Sequence, residues 1–474
     1  MNRHLATPVG RPPAFSYREV RHGLLRRSAG FVLGCDEIPL TRLAERFGTP
    51  LYVYSASTIR ERMRAFQRAF RKAPHTVCYS VKANSNLTIL RLLAGMGCGF
   101  DVVSGGELER VLRVDRRAAR RVVFSGVGKT REEMQAALRA GILLFNVESE
   151  SELWVLAECA ARLHKTARIA LRVNPDVPAN THPYISTGLQ KHKFGVPIGE
   201  ARALYAKASG TRHLKVAGVS VHIGSQITEM EPFAATMERV AALVRELRHD
   251  GHEIEYIDAG GGLGIAYEGG GTEVSSIKAG GDARLSITDF ADYAFQYAQA
   301  LLGPLRGLKV RLLLEPGRAI VGPAGALLTT VSYRKNNNSK KFLVVDAAMN
   351  DLLRPSLYGA FHEIVPVEGR GDSPNRPEPS RSRFKNTIKR EKIDIVGPVC
   401  ESGDFFAQDR EMPELRAGDL LAVMSAGAYG FVMASNYNSR PLPAEALVRG
   451  DKVALIRERQ TLPQIMSGER DPHF

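Results

Sequence analysis

Between residues 76 and 314 the chain repeats one pattern: a short apolar run, then a longer stretch whose apolar residues recur every three or four positions. The first kind of run reads as a buried strand and the second as an amphipathic helix. Strands are predicted at 77–80, 100–104, 122–125, 142–147, 168–173, 216–222, 254–258 and 311–314. Helices are predicted between them, as at 106–114, 132–140, 150–163, 232–248 and 289–302. Eight strand–helix alternations in about 240 residues predict a (β/α)8 barrel. The stretches 175–194 and 266–286 lack either period and read as loops over the barrel mouth.

The flanks carry a different pattern. Runs at 342–346, 363–367, 393–398, 419–423 and 452–456 are short, apolar and separated by Gly, Pro and Asp turns, which predicts a mostly β domain. Residues 34–54 hold strand candidates that can join it, and 55–73 read as a helix leading into the barrel. The expected division is a basic, flexible tail at 1–33, N-terminal strands at 34–54, the barrel at 55–314 and the β domain at 315–474. The stretch 368–390, dominated by Gly, Pro, Ser and Arg, reads as a flexible insertion.

Composition narrows the function classes. Of 474 residues, 44% are hydrophobic and 24% charged, as in ordinary globular proteins. No apolar run approaches the roughly 20 residues that span a bilayer, so no membrane partner is expected. The first 30 residues carry eight Arg or His and one acidic residue without an apolar segment, unlike a secretory signal. Five scattered cysteines without a C-x-x-C pair suit free thiols in a reducing compartment, the cytoplasm. No His/Cys ligand set is present, so no metal is expected. The net charge of +15 raises the question of nucleic acid. However, the basic runs at 116–121 and 381–392 lack interleaved aromatics, and no nucleic-acid motif accompanies them.

The candidate chemistry gathers where the strands end. Lys82, Asp101, Ser125, Glu148, Arg172, His222, Asp258 and Glu315 all lie at or just past a predicted strand's carboxyl end. A barrel brings those ends to one face, where such enzymes build their sites. A lone lysine is more often a solvated loop residue. A partly desolvated one at a strand-to-helix turn can instead form an imine with an aldehyde cofactor. Asp258-Ala-Gly-Gly-Gly-Leu-Gly264 follows the seventh strand, and Glu315-Pro-Gly-Arg318 the eighth. Loops in those two places recurrently hold a phosphate, and glycines let backbone N–H groups approach it. A lysine, an anion loop and a carboxylate able to pair with a ring nitrogen are together the requirements of pyridoxal phosphate. His222 leaves the sixth strand at the level of a ring face, and Ser225 can add a hydroxyl to the phosphate.

The motifs YSVKAN (79–84), HPYISTG (182–188), HKFGV (192–196), HIGSQI (222–227), GGGLG (260–264), EPGR (315–318), MNDLLRPSLYGA (349–360), GPVCESGD (397–404) and GAYG (427–430) occur in this order. With them, residues 34–458 resemble the fold-type III pyridoxal-phosphate decarboxylases. That resemblance implies an alanine-racemase-type barrel beside a β domain, with pyridoxal 5'-phosphate as cofactor. It gives Lys82 the covalent attachment, His222 the ring face and Glu315 the pyridine nitrogen. Ser225, Gly261, Gly262, Gly317, Arg318 and Tyr429 would surround the cofactor, and Cys400 would be the proton donor. It also implies a homodimer in which the Cys400–Glu401 segment comes from the partner subunit. Departures are few: Ala259 precedes the glycines where the family often has Ile or Leu, and the basic tail and the 368–390 stretch are extra.

Within the family the motifs are most similar to the branch that acts on meso-2,6-diaminopimelate, releasing L-lysine and carbon dioxide. Its substrate presents an ammonium and a carboxylate at the end remote from the reaction. Arg318 and Arg354 offer guanidinium forks for a carboxylate, Glu401 can accept from an ammonium, and Tyr358 and Tyr429 add hydroxyls. The resemblance assigns these five to substrate contact. The alternative is a decarboxylase of the same fold acting on arginine, D-ornithine, lysine or carboxynorspermidine.

Overall fold

The computed structural model describes residues 14–21, 29–178, 193–267, 290–338, 340–370 and 390–472. They fall into two compact units. One comprises residues 60–265 and 273–320, the other 1–59, 266–272 and 321–474.

The first unit is the predicted barrel. Its strands are β1 (His75–Ser80), β2 (Gly99–Val102), β3 (Val122–Phe124), β4 (Leu144–Val147), β5 (Ala167–Asn174), β6 (Leu214–Ser220), β7 (Tyr256–Asp258) and β8 (Arg311–Leu314). All pair in parallel, and β8 returns to β1, which closes the cylinder. Cys78, Val123, Leu144, Ala170, Ala217 and Leu313, from six different strands, form one buried apolar cluster inside it. Side chains alternate along a strand, so residues two positions on face the same way. Those residues are Ser80, Ser125, Asn146, Arg172 and Glu315, with Asp101 and Asp258 on the same face of β2 and β7. An apolar plug is therefore followed at once by a polar layer at the carboxyl ends. On β6 a register shift between Val216 and Gly218 changes the count, and Ser220 faces Asp258 instead.

Helices pack outside the strands, and their starts are written into the sequence. Ser104, Thr130 and Ser149 each accept a backbone N–H at the N-terminus of the following helix, and Thr130 with Glu133 makes a reciprocal capping box. Gly141 ends its helix at φ 69°, a left-handed conformation that suits glycine.

The second unit centres on a nine-stranded sheet. Leu51–Ser55 lies between Gly325–Asn337, antiparallel, and Ala444–Arg449, parallel. N-terminal strands therefore do join the β domain. Three of its strands escaped the sequence pattern: Gly325–Asn337, Phe405–Pro413 and Ala444–Arg449. The barrel unit runs to Ile320, so Glu315 and Arg318 belong to it and not to a domain starting at 315.

The expected flexible tail needs correction. Phe15–Arg21 pairs antiparallel with Ala29–Cys35 in a separate small sheet. Phe15 and Tyr17 are buried, Arg18 is exposed, and the Tyr17 hydroxyl donates to the Pro366 carbonyl at 2.6 Å. This period-two alternation was masked by the basic residues around it. The 368–390 stretch also begins as structure, because Glu368–Arg370 adds a strand to Ala29–Cys35. Residues 371–389 lie outside the described residues, as do the motif at 182–188 and most of the loops at 175–194 and 266–286. Among the described residues no helix is long and apolar enough to cross a membrane.

Candidate active site

On the barrel unit the strand ends converge as the sequence predicted. Lys82 sits in a single 3-10 turn, Val81–Ala83, immediately after β1. Its Nζ lies 2.8 Å from Asp101 Oδ2, at the end of β2. The Ser80 hydroxyl also donates to Asp101 Oδ2 at 2.9 Å. Asp101 is fully buried while the Lys82 side chain is 35% exposed, so the lysine has a fixed counter-charge and an open side.

Glu315 follows β8 and is buried. The Ser125 hydroxyl donates to its Oε1 at 3.3 Å. Asn146 Nδ2 donates both to Ser125 Oγ, at 3.0 Å, and to Asp258 Oδ2, at 2.6 Å. Burial, together with the nearby charges of Asp101 and Asp258, pushes the Glu315 carboxyl well above its ordinary range. Burial likewise raises Asp258, against the donors Glu315, Asn146 and Gly260 N–H. A cation brought against Glu315 would restore its ionised form.

His222 lies just past β6. The Gly261 N–H donates to its Nδ1 at 3.1 Å, so the neutral ring carries its proton on Nε2. Burial, then the charges of Arg172 and Lys82, hold it well below the usual imidazole range. Arg172 is itself held by Glu148 at 2.9 Å, and Glu148 accepts N–H groups from Gly126 and Gly195.

The glycine loop approaches its neighbours too closely for side chains. A Cβ on Gly261 would come within 2.2 Å of the Glu315 carbonyl, and one on Gly317 within 2.7 Å of Ala83 Cβ. Gly262 has φ 102° and would meet the Gly224 carbonyl at 2.6 Å. Arg318 Nη2 donates to Ser225 Oγ at 3.1 Å beside this loop.

The β unit carries the remaining candidates. Arg354 and Tyr358 bound a short helix, Arg354–Tyr358, with Arg354 buried. Cys400 and Glu401 are exposed on a tight loop. Asp404 shapes that loop by accepting Met349 N–H and Val399 N–H, both at 2.7 Å. The Ser356 hydroxyl ties it to the helix through the Gly403 carbonyl at 2.6 Å. Cys400 N–H donates to Asn438 Oδ1, and the Tyr437 hydroxyl donates to Glu401 Oε2 at 2.7 Å. Tyr429 is half-buried with φ 55°.

Several residues of these sites went unassigned in the sequence. Asp101, Ser125 and Asp258 were visible as polar strand ends, but their pairings depend on strand register. Asn146 was hidden inside an apolar run. Tyr437 and His362 carried no signal.

Glu107, close to Lys82 and Asp101, gives a pH test. Burial pushes its carboxyl up to about 7, against the Val103 N–H that it accepts at 2.8 Å. The folded state therefore keeps a proton that the unfolded chain releases near about pH 4.3. This contribution to stability is present below that pH and is lost as pH rises through about 7. Glu107→Gln keeps an acceptor for Val103 and cannot ionise. It should raise the melting temperature by about 2–4 °C at pH 8 and leave it unchanged at low pH. Thermal unfolding across that range checks this, and an equal shift at both ends would contradict it.

The sequence model described as "Pyridoxal-dependent decarboxylase, pyridoxal binding domain" matches residues 56–322. The diaminopimelate decarboxylase of Pseudomonas aeruginosa is 47% identical over 455 residues, covering 96% of this chain and 98% of that protein. The crystal structure of diaminopimelate decarboxylase from M. jannaschii in complex with L-lysine superposes with a TM-score of 0.81 at 37% identity, over 93% and 96% of the two chains. The Helicobacter pylori enzyme with L-lysine gives 0.78 at 39%, over 90% and 98%. The residues fit a pyridoxal phosphate. Lys82 offers an amine, the side-chain-free cradle at Gly261, Gly262 and Gly317 with Ser225 and Arg318 offers donors for a phosphate, and Glu315 offers a buried acid for a ring nitrogen.

Proposed function

The chain belongs to the pyridoxal-dependent decarboxylases, and from that premise we propose that it converts meso-2,6-diaminopimelate to L-lysine and carbon dioxide. One observation carries the substrate. The likeness to diaminopimelate decarboxylases extends past the cofactor domain at 56–322 and across the β unit, where Arg354, Tyr358, Cys400 and Glu401 lie.

Pyridoxal phosphate, when bound, supplies an electron sink for the pair left at Cα as carbon dioxide departs. The chain supplies the rest. Lys82 Nζ would hold the cofactor through its aldehyde. Asp101, 2.8 Å from Lys82 Nζ, would steady the lysine's ammonium whenever the amine is free of the cofactor. His222, half-buried and neutral, would cover the ring face without adding a charge that repels a cation at the ring nitrogen. Glu315 would carry the counter-charge to the ring nitrogen. Gly261, Gly262, Ser225 and Arg318 would hold the phosphate, and Gly317 and Tyr429 would complete the cofactor's surroundings.

At the far end of the substrate, Arg318 and Arg354 take the carboxylate, Glu401 the ammonium, and Tyr358 and Tyr429 complete the contacts. A site built to bond both groups rejects substrates that lack one, because its own buried polar groups are left unpaired. Cys400 then gives the Sγ proton to Cα, so a C–H bond replaces the C–C bond that broke.

Cys400 and Glu401 are exposed on this chain, yet a carbanion must be protonated by a placed acid away from bulk water. A homodimer in which each subunit lends this segment to its partner's barrel meets that need. All five cysteines are free thiols, which suits the cytoplasm. Formation of carbon dioxide and L-lysine from meso-diaminopimelate by the cofactor-loaded protein tests the proposal.

A further inference from the structure

Arg354 is pinned by two neighbours that have no assigned part in the reaction. Its Nη1 lies 2.9 Å from His362 Nε2. His362 Nδ1 lies 2.8 Å from the Met424 carbonyl. A carbonyl only accepts, so Nδ1 carries the proton, and the Nε2 lone pair points at the guanidinium. An imidazolium would set two N–H groups against each other there. The third contact is a face: the guanidinium carbon sits 4.5 Å from the centre of the Tyr267 ring, whose plane meets His362 edge-on at 5.1 Å.

The local chain explains the meeting. Gly359, at φ 59°, ends the short helix and turns the chain back. Met424 N–H donates to the Glu363 carbonyl at 2.8 Å, which fixes His362 beside Met424. His362 is completely buried and Arg354 is 6% exposed. One edge and one face of the guanidinium are thus committed, and its plane is set before a ligand arrives. A fork must meet a carboxylate in its own plane to make two bonds, so its orientation decides its selectivity.

We propose that His362, with Tyr267, is a positioning residue that aims Arg354 at the distal carboxylate and so sets the enzyme's demand for that group. The inference rests on the reading of Arg354 as the carboxylate's partner. The bland alternative is a buried histidine that serves the fold alone.

Two substitutions separate the alternatives. Asn reproduces the Nδ1 donor, so His362→Asn keeps the bond to Met424 and cannot reach Arg354. Gln reproduces the reach of Nε2, so His362→Gln keeps an acceptor for Arg354 and loses the Met424 bond. The probes are two competitive inhibitors of the holoenzyme. Decarboxylating one end of diaminopimelate leaves the other end intact, so L-lysine keeps the distal carboxylate, whereas 1,5-diaminopentane has none.

His362→Asn should raise the inhibition constant of L-lysine and the KM for meso-diaminopimelate together, by about tenfold. Its kcat should stay within about twofold, and diaminopentane inhibition should not move. His362→Gln should stay within about threefold of the parent for L-lysine. Tyr267→Leu, which spares the Met424 bond, should show the same selective loss in smaller measure and decides the matter if the Asn variant does not fold. Equal effects of Asn and Gln, or parallel loss of lysine and diaminopentane affinity, would overturn the proposal. Arg354→Ala tells the two levels apart. If it retains the preference for L-lysine over diaminopentane, the premise fails and the proposal with it. If it loses that preference while His362→Asn keeps it, only the role of His362 is overturned.

Discussion

Lys82→Ala should leave the protein folded and without covalent cofactor, and should lower kcat at least ~10³-fold. The turn at Val81–Ala83 presents the amine at the carboxyl end of β1, between the Asp101 carboxylate and the open side of the barrel. No other lysine among the described polar strand ends stands there. Lys129, which is buried, spends its Nζ on the Gly126 and Asn146 carbonyls and on Glu152, all within 2.8 Å. Borohydride reduction followed by peptide mass spectrometry reads the attachment directly. The parent should carry a pyridoxyl adduct on the peptide containing residue 82, and the variant none. An adduct at another lysine would refute the assignment.

The second large effect belongs to Cys400. Cys400→Ala removes the proposed acid and should cost ~10²–10⁴ in kcat, while reduction still finds the adduct on Lys82. The shared-site reading adds a sharper expectation. Lys82→Ala and Cys400→Ala should each retain little activity, but a mixed dimer would hold one site with both defects and one with neither. Dissociating and re-pairing equal amounts at random should therefore restore about a quarter of the parental activity. Failure of the mixture to recover, with exchange verified by mass, would place Cys400 in the same subunit's site as Lys82.

The barrel was legible because its strands are buried on both faces and end in polar residues two positions past an apolar one. Cys78 then Ser80, Val123 then Ser125, and Leu313 then Glu315 are that rule in miniature. The glycine loop and the EPGR turn were legible for a related reason, since close backbone approach leaves few residue types possible. What the sequence hid is pairing across strands. Asp101 beside Lys82 and Asn146 between Ser125 and Asp258 depend on register, which one-dimensional spacing does not carry. Phe15–Arg21 was hidden by its own charge, because a strand with one wet face tolerates the arginines that suggested a tail. Gly325–Asn337 starts buried and ends exposed, so its apolar pattern fades along its length. His362 carried no mark, because its part is defined only by the groups it touches.

The central claim is a substrate with two amino-acid ends. Carbon dioxide release by the purified, cofactor-loaded protein from meso-diaminopimelate, lysine, ornithine and arginine tests it most directly. The account predicts a kcat/KM for meso-diaminopimelate about 10⁴-fold or more above the others, as for a site whose buried polar groups need both distal partners. A kcat/KM for lysine, ornithine or arginine equal to or above that for meso-diaminopimelate would contradict it.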